Sequence, residues 1–318
     1  MTDALMDRYD VVVAGGGPAG LNGALMLARS RRSVLVVDAG SPRNTPADGV
    51  HGLLGHDGTP PAELLERGRA EVRRYGGHVT RGAVTGAARD GETFVVTLGD
   101  GRTTRARRLL VATGVIDELP ELEGLKERWG HDVLHCPYCH GWEVRDQAIG
   151  VLSSGPRSLH QALLFRQLSD DVVYFAHALP PAADEVEKLA ARGIPVVDGE
   201  VVALEVEGDR LTGVRMRDGT TVPRQVLVVA TRLVARAPFL DELGLRPAEH
   251  PSGLGEHVVV EPTGRTPVPG VWAAGNVTDP AAQVGGSAAA GATAGAQINA
   301  DLVEEETRQA IEPAEGRG

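Results

Sequence analysis

The chain has 318 residues, 42% of them hydrophobic and 24% charged, which is room for about two ordinary domains and a composition that excludes extended disorder. Its formal net charge is −11, so it has no diffuse basic surface and a nucleic-acid partner is excluded. Two cysteines are present, too few for a disulfide-stapled secreted scaffold.

The N-terminal stretch carries Asp3, Asp7 and Asp10 and no apolar run before Val11. It does not read as a secretory signal, and a cytoplasmic location is expected. No run approaches roughly 18 apolar residues; the Ala/Gly-rich stretch 287–300 is interrupted by Gly291, Gly295, Gln297 and Asn299. No membrane partner is expected.

Residues 9–14 form a β-branched run that suits a strand buried on both faces of a parallel sheet. Gly15, Gly17 and Gly20 follow at once in the GxGxxG spacing, with Pro18 and Ala19 between them, and an apolar helical pattern runs on through Leu21, Ala24, Leu25 and Leu27. Gly15 permits a tight turn, Gly17 lets backbone N–H groups approach a pyrophosphate, and Gly20 allows close helix–strand packing. A second strand, 33–37, runs into Asp38, placed to accept from both hydroxyls of a ribose, and Ala39. A dinucleotide site is expected here. Strands at 94–98 and 107–113 flank the turn Gly99-Asp100-Gly101 as part of a meander.

His135-Cys136-Pro137-Tyr138-Cys139-His140 holds both cysteines. Four readings are open: a zinc site with His131, His135 or His140, covalent haem attachment, an inert buried pair, and a redox dithiol. Zinc lacks a second ligand pair, haem attachment requires export, and an inert pair makes the redox spacing a coincidence. A helix starting at this motif would stabilise a thiolate and lower a cysteine pKa from about 8.5 toward neutrality.

Residues 148–152 and 171–176 read as strands of a second dinucleotide fold, with the turn 153–158 before an amphipathic helix. Its loop has become Ser153-x-Gly155-x-x-Ser158: Ser153 carries a Cβ and Pro156 removes a backbone donor. Arg157 is the one basic group in that loop, and a hairpin is expected around Glu207-Gly208-Asp209. The partner turn after residue 229 carries Arg232. Residues 271–276 repeat the design of 109–114, and Gln283-Val284-Gly285 opens a last helix. The polar tail from Glu304 to Gly318 is expected to fray.

Taken together, the motifs across residues 8 to 303 resemble the flavoprotein disulfide reductases with two dinucleotide folds, in particular the thioredoxin reductases. The resemblance implies an α/β fold of two dinucleotide-binding, Rossmann-like domains. An FAD domain, 1–117 and 245–318, is split by an inserted NADPH-binding-like domain, 118–244, that carries the cysteines. It also implies FAD contacts by Arg43, Asn44 and His51 in the wrapping loop, by Val84, by Ala112, Thr113 and Gly114, by Gly275 and Asn276, and by Gln283 and Val284. Asn276 stands where the family has an acid. Cys139 would face the flavin and Cys136 would attack substrate. His140 replaces the family's aspartate, and its imidazole suits thiol deprotonation near neutral pH.

The His-Arg-Arg cluster that holds the NADPH 2′-phosphate in thioredoxin reductases is missing: the second fold's strand ends in His177-Ala178-Leu179. NADPH is therefore doubtful as reductant. An intact thiol–flavin half beside an eroded nicotinamide half resembles the FAD-dependent dithiol oxidases that close disulfides in natural products such as gliotoxin and holomycin. The expected function is oxidation of a small-molecule dithiol through Cys136 and Cys139, with oxygen as acceptor. Alternatives are a thioredoxin reductase serving a thioredoxin-like protein from NADPH or another donor, and a flavin-binding redox sensor. Relatives are commonly homodimers, and a homodimer is expected; no metal is.

Overall fold

The computed structural model describes residues 5–311. In chain order the first unit contains β1 (Arg8–Ala14), α1 (Pro18–Arg29), β2 (Val34–Asp38), α2 (Pro61–Arg74), β3 (His78–Arg81), β4 (Val84–Asp90), β5 (Thr93–Leu98) and β6 (Thr103–Val111). Its sheet runs β3-β2-β1-β6-β5-β4. β1 pairs parallel to both β2 and β6, with Val12 opposite Leu35 and Leu109.

The valine run in β1 is explained by burial on both faces. Val11 and Val13 join Leu27, Leu110 and Ile298 under the helices, while Val12 and Ala14 join Leu35, Phe94 and Leu109 on the opposite face. The β4-β5-β6 meander follows the expected turn, closing antiparallel pairs on either side of β5.

The chain leaves the first unit through β7 (Val115–Glu118). The second unit then builds α3 (Leu125–Arg128), β8 (Val133–Leu134), α4 (Pro137–His140), β9 (Ile149–Leu152), α5 (Ser158–Phe165), β10 (Val172–Phe175), α6 (Ala183–Ala191) and β11 (Val196–Val197). A three-stranded antiparallel sheet of β12 (Val201–Glu207), β13 (Arg210–Met216) and β14 (Thr221–Pro223) follows, then β15 (Val226–Val229). The parallel sheet runs β11-β10-β9-β15-β8. Gly208 and Asp209 both have positive φ, the two-residue turn that matches strand twist in a β12–β13 hairpin.

The return strand β16 (Arg232–Ala235) pairs antiparallel with β7, so the two connections form one ribbon between the units. The sequence expectation resumed the first unit at 245, but Ala237, Phe239 and Leu240 are already buried in its core. A short hairpin, β17 (Ala248–Glu249) with β18 (Glu256–His257), precedes β19 (Val271–Ala273), which extends the first sheet alongside β6.

The last helix, α7 (Val284–Ile311), lies on α1 at very close range. A Cβ on Gly291 would stand 1.9 Å from the Ala19 carbonyl oxygen, and one on Gly295 would stand 2.6 Å from that of Gly23. The Ala/Gly run is therefore a packing seam. Among the described residues no helix is long and apolar enough to cross a membrane. The expected fraying from Glu304 does not occur up to Ile311. Arg107 holds Glu305 at 3.0 Å and Glu306 at 2.7 Å, Arg32 holds Glu306 at 2.6 Å, and Arg108 holds Asp301 at 2.6 Å. These pairs supply tertiary anchors that a reading of the local polar sequence omits. The remainder of that tail lies outside the described residues.

Candidate active site

A cavity of about 340 Å³ opens between the first sheet's β1, β2 and β6 ends and the second unit. Gly15, Gly17, Pro18 and Ala19 border it at the start of α1; Asp38 and Ala39 border it at the end of β2. Arg43, Asn44 and His51 enter from the following loop, and Val84 from β4. Ala112, Thr113 and Gly114 come from the end of β6, and Asn276, Gln283 and Val284 from the approach to α7. Gly20 and Gly275 stand behind this wall. A Cβ on Gly20 would lie 1.9 Å from the Gly15 carbonyl oxygen, and one on Gly275 would lie 2.7 Å from the Ala19 Cβ.

Three observations fit this cavity to FAD. A Cβ built on Gly17 meets nothing within 4 Å, so the turn leaves an empty cradle at the helix start. The first amides of α1 have no side-chain cap and no acid in the first turn, leaving the positive helix end for a pyrophosphate. Thr113 Oγ1 is buried without a partner at the cavity wall.

Asp38 is not free on all sides. Arg69 Nη1 donates to its Oδ2 at 2.9 Å and the Gly40 amide to its Oδ1 at 2.8 Å, which still leaves acceptor directions for a ribose. Sequence reasoning gave no role to Gly16, yet a Cβ there would lie 2.4 Å from the Asp38 carboxyl carbon. The middle glycine makes room for the acid. Asn276 donates through Nδ2 to the carbonyls of Asp279, Pro280 and Ala282 at 3.1, 3.3 and 2.8 Å. A carboxylate here would oppose three carbonyl oxygens, a physical reason for an amide in place of the family's acid.

Arg43 reaches the cavity with its guanidinium already committed. Nε and Nη2 donate to Asp117 at 2.6 and 2.8 Å, and Nη2 lies 3.4 Å from His135 Nε2. Thr231 donates to the same carboxylate at 2.8 Å. Burial would raise the Asp117 carboxyl, but Arg43 and Thr231 hold it below its usual range. His135 stacks on Trp129, with ring centres 5.3 Å apart. Burial, then the Arg43 guanidinium, push its imidazole down to about 4, against the opposing pull of Asp117. This cluster joins both units at the cavity. Asp117, Trp129 and the role of His135 beyond metal ligation were missed, because their segments are distant in sequence; the one local signal was the step from His135 to Cys136.

Cys136 and Cys139 form a disulfide across α4. Cys136 is the N-cap in extended geometry, and its Sγ accepts from the Cys139 amide at 3.2 Å. α4 is a single turn, so this amide, more than a long helix dipole, is what favours charge on sulfur. Cys139 and His140 border the cavity, whereas Cys136 lies outside its lining. Burial moves the His140 imidazole below its ordinary value; Glu143 and Asp48 pull upward and His51 adds to the fall. His140 is thus neutral at pH 7, the proton-accepting form. His51 bridges the units, 3.1 Å from Asp57 and 3.6 Å from Glu143.

The second fold's loop is filled by its own side chains. Ser158 Oγ accepts from the amides of Ser154 and Gly155 at 3.1 and 3.2 Å. Ser153 is buried and accepts from the Tyr174 hydroxyl at 2.8 Å. Ser154 Oγ accepts from the Ala230 amide at 2.9 Å. His177 accepts from the Val201 amide at 3.1 Å, and Arg232 faces Glu118, Glu249 and Glu256. None of these groups is directed at a nucleotide phosphate.

The family model for pyridine nucleotide-disulphide oxidoreductases matches residues 9–297. A protein called thioredoxin reductase tcpT, from Claviceps purpurea, is 33% identical, covering 84% of this chain and 86% of its own. The crystal structure of HlmI superposes with a TM-score of 0.91 at 46% identity, over 98% of each chain. An oxidoreductase from Agrobacterium tumefaciens superposes at 0.87 with 36% identity, over 93% of this chain and 99% of its own.

Proposed function

The chain belongs to the pyridine nucleotide-disulphide oxidoreductase family, a flavin-dependent thiol/disulfide oxidoreductase, and from that premise we propose that it oxidises a small-molecule dithiol to a disulfide with oxygen as acceptor. The observation that carries this reading is the contrast between the open cradle at Gly17 and the second loop, where Ser158 takes the amides of Ser154 and Gly155. Electrons then enter from thiols and not from NADPH. We assign the FAD-binding fold to the segments before β7 and after β16, and the catalytic roles to Cys136, Cys139 and His140. Gly17, Pro18, Ala19 and the α1 amides would hold the pyrophosphate, Asp38 a ribose, and Thr113, Asn276, Gln283 and Val284 the rest of the cofactor.

In this mechanism neutral His140 takes the proton of an incoming thiol. The thiolate bonds to Cys136 Sγ, the Cys136–Cys139 bond breaks, and Cys139 leaves as a thiolate. The second substrate thiolate attacks the substrate sulfur of the mixed disulfide, releasing Cys136 and closing the product disulfide. FAD held in the cavity that Cys139 borders would supply the two-electron acceptor through which Cys136 and Cys139 lose their electron pair and re-form their disulfide. Oxygen receives the pair and leaves as hydrogen peroxide, so dithiol and oxygen become disulfide and peroxide. The substrate belongs with natural-product dithiols, and the enzyme is a homodimer in this proposal.

Anaerobic mixing separates this from a reductase. A small dithiol should bleach the flavin absorbance, NADPH should leave it unchanged, and admitted air should restore it with one peroxide per dithiol oxidised. Rapid bleaching by NADPH, with no oxygen uptake on any dithiol, overturns the proposal. One observation favours the second reading, reduction of a thioredoxin-like protein: Tyr138 and Trp142, beside the cysteines, are each 66% exposed, a surface that suits a protein partner.

A further inference from the structure

α5 is the helix whose first turn would face a dinucleotide in a nucleotide-binding fold. One turn in stands Gln161, only 8% exposed. Its Nε2 donates to the His135 carbonyl at 2.7 Å and to the Val229 carbonyl at 3.2 Å. Both amide hydrogens are used, and Oε1 is buried without a partner. A buried orphan acceptor is unfavourable; what the side chain gains is the pair of carbonyls that its amide holds.

We propose that Gln161 is a positioning residue for the Cys136–Cys139 disulfide, its amide fixing the His135 carbonyl and through it the N-cap from which Cys136 presents its sulfur. This rests on the reading of that pair as the working redox couple. The His135 carbonyl belongs to the peptide that leads directly into Cys136. Its ring is held separately, by the Trp129 stack and by Arg43, so Gln161 supplies the restraint on the backbone. Val229 ends β15, the strand between β9 and β8, so the same amide ties the cysteine segment to the C-terminal edge of the parallel sheet. That edge is where open α/β sheets place their ligands. With the loop sealed by Ser158, the helix holds the disulfide in place of a nucleotide.

Gln161 enters no bond-making step. It restricts how far the two cysteines separate when their bond is broken, which favours the disulfide over the dithiol. The holoenzyme should be equilibrated in glutathione buffers and Cys136 and Cys139 trapped by alkylation for mass spectrometry, in wild type, Gln161→Met and Gln161→Glu. Met keeps the length without a donor, and Glu keeps the shape while opposing two carbonyls. Both should move the equilibrium toward the dithiol by about tenfold, lower kcat more than KM, and leave FAD content unchanged, since Gln161 does not border the cofactor cavity. If Gln161→Glu does not fold, Gln161→Met decides. An equilibrium in Gln161→Met that matches wild type, or shifts toward the disulfide, overturns the inference. A wild-type pair that exchanges with no thiol at all would instead sink the redox reading on which it rests.

Discussion

The two dinucleotide folds of this protein share a strand, a turn and a helix in the same order, and they end in opposite states. At the first turn no side chain caps the α1 amides and a Cβ built on Gly17 would meet nothing within 4 Å. At the second, the loop amides of Ser154 and Gly155 are taken by Ser158, and a Cβ on Gly155 would lie 3.1 Å from the Ala230 Cβ. A phosphate-binding turn works only while the amides of its loop are unmet. The Ser158 hydroxyl, the buried Ser153, the Ser154–Ala230 contact and the close approach of Gly155 to Ala230 together make the second turn a closed structural corner. The same edge of the second sheet remains in use, because it also holds α4 and the cysteines against the cavity of the first fold.

The largest effect separating the two folds is expected at the sulfurs. Cys136→Ser and Cys139→Ser should each lower dithiol turnover by more than about 1,000-fold while flavin content stays at the wild-type level, measured by oxygen uptake and absorbance. Retained turnover in either would show that the second unit does not carry the chemistry. Next, Gly17→Val should fill the cradle and weaken FAD binding by about 100-fold or more, read by ultrafiltration of free flavin. Undiminished binding would mean that the open turn is not the pyrophosphate site.

Changing His140→Gln should cost about 100-fold in kcat/KM. In wild type, kcat/KM should fall as pH drops through the His140 pKa, which lies below its ordinary 6.5, and the variant should lack that limb. An acid limb that persists unchanged in His140→Gln would remove His140 from the mechanism.

His135 tests the interface between the units. Its folded value of about 4 lies below the ordinary 6.5, so between those pH values the unfolded chain binds a proton that the folded one refuses. Stability should therefore be lost as pH falls from about 6.5 to about 4, at up to about 1.4 kcal/mol per pH unit. His135→Phe should flatten that slope in denaturant titrations, and an unchanged slope would locate the titration elsewhere. The smallest effect is expected at the sealed loop. Ser158→Ala should cost about 1 kcal/mol with no gain in NADPH affinity; tight NADPH binding by this variant would show that only the hydroxyl excludes the nucleotide.

Much of the cavity wall was legible because its signals are local. The glycine spacing after a valine strand, the acid after β2 and the small-residue turns after β6 and β19 each lie within a few residues of the group they position. Gly16 escaped because its constraint comes from Asp38 on the neighbouring strand. Arg43 borders the cavity, but its pairing with Asp117 and its approach to His135 join three separate segments and have no local signal. The tail beyond Glu304 read as polar and loose, but arginines on β6 and beside β2 hold it as helix to Ile311.

The fold class, the open glycine turn at the start of α1 and the cysteine pair as candidate redox centre were all readable from the order of residues alone. Periodicity and motif spacing are properties of contiguous chain, and here they agree with the global structure. Three-dimensional packing was needed to show how the second fold is closed, which cysteine borders the cavity, and how Gln161, His135, Arg43 and Asp117 meet around the disulfide. Those are contacts between residues tens of positions apart, set by sheet order and burial, and no local pattern encodes them.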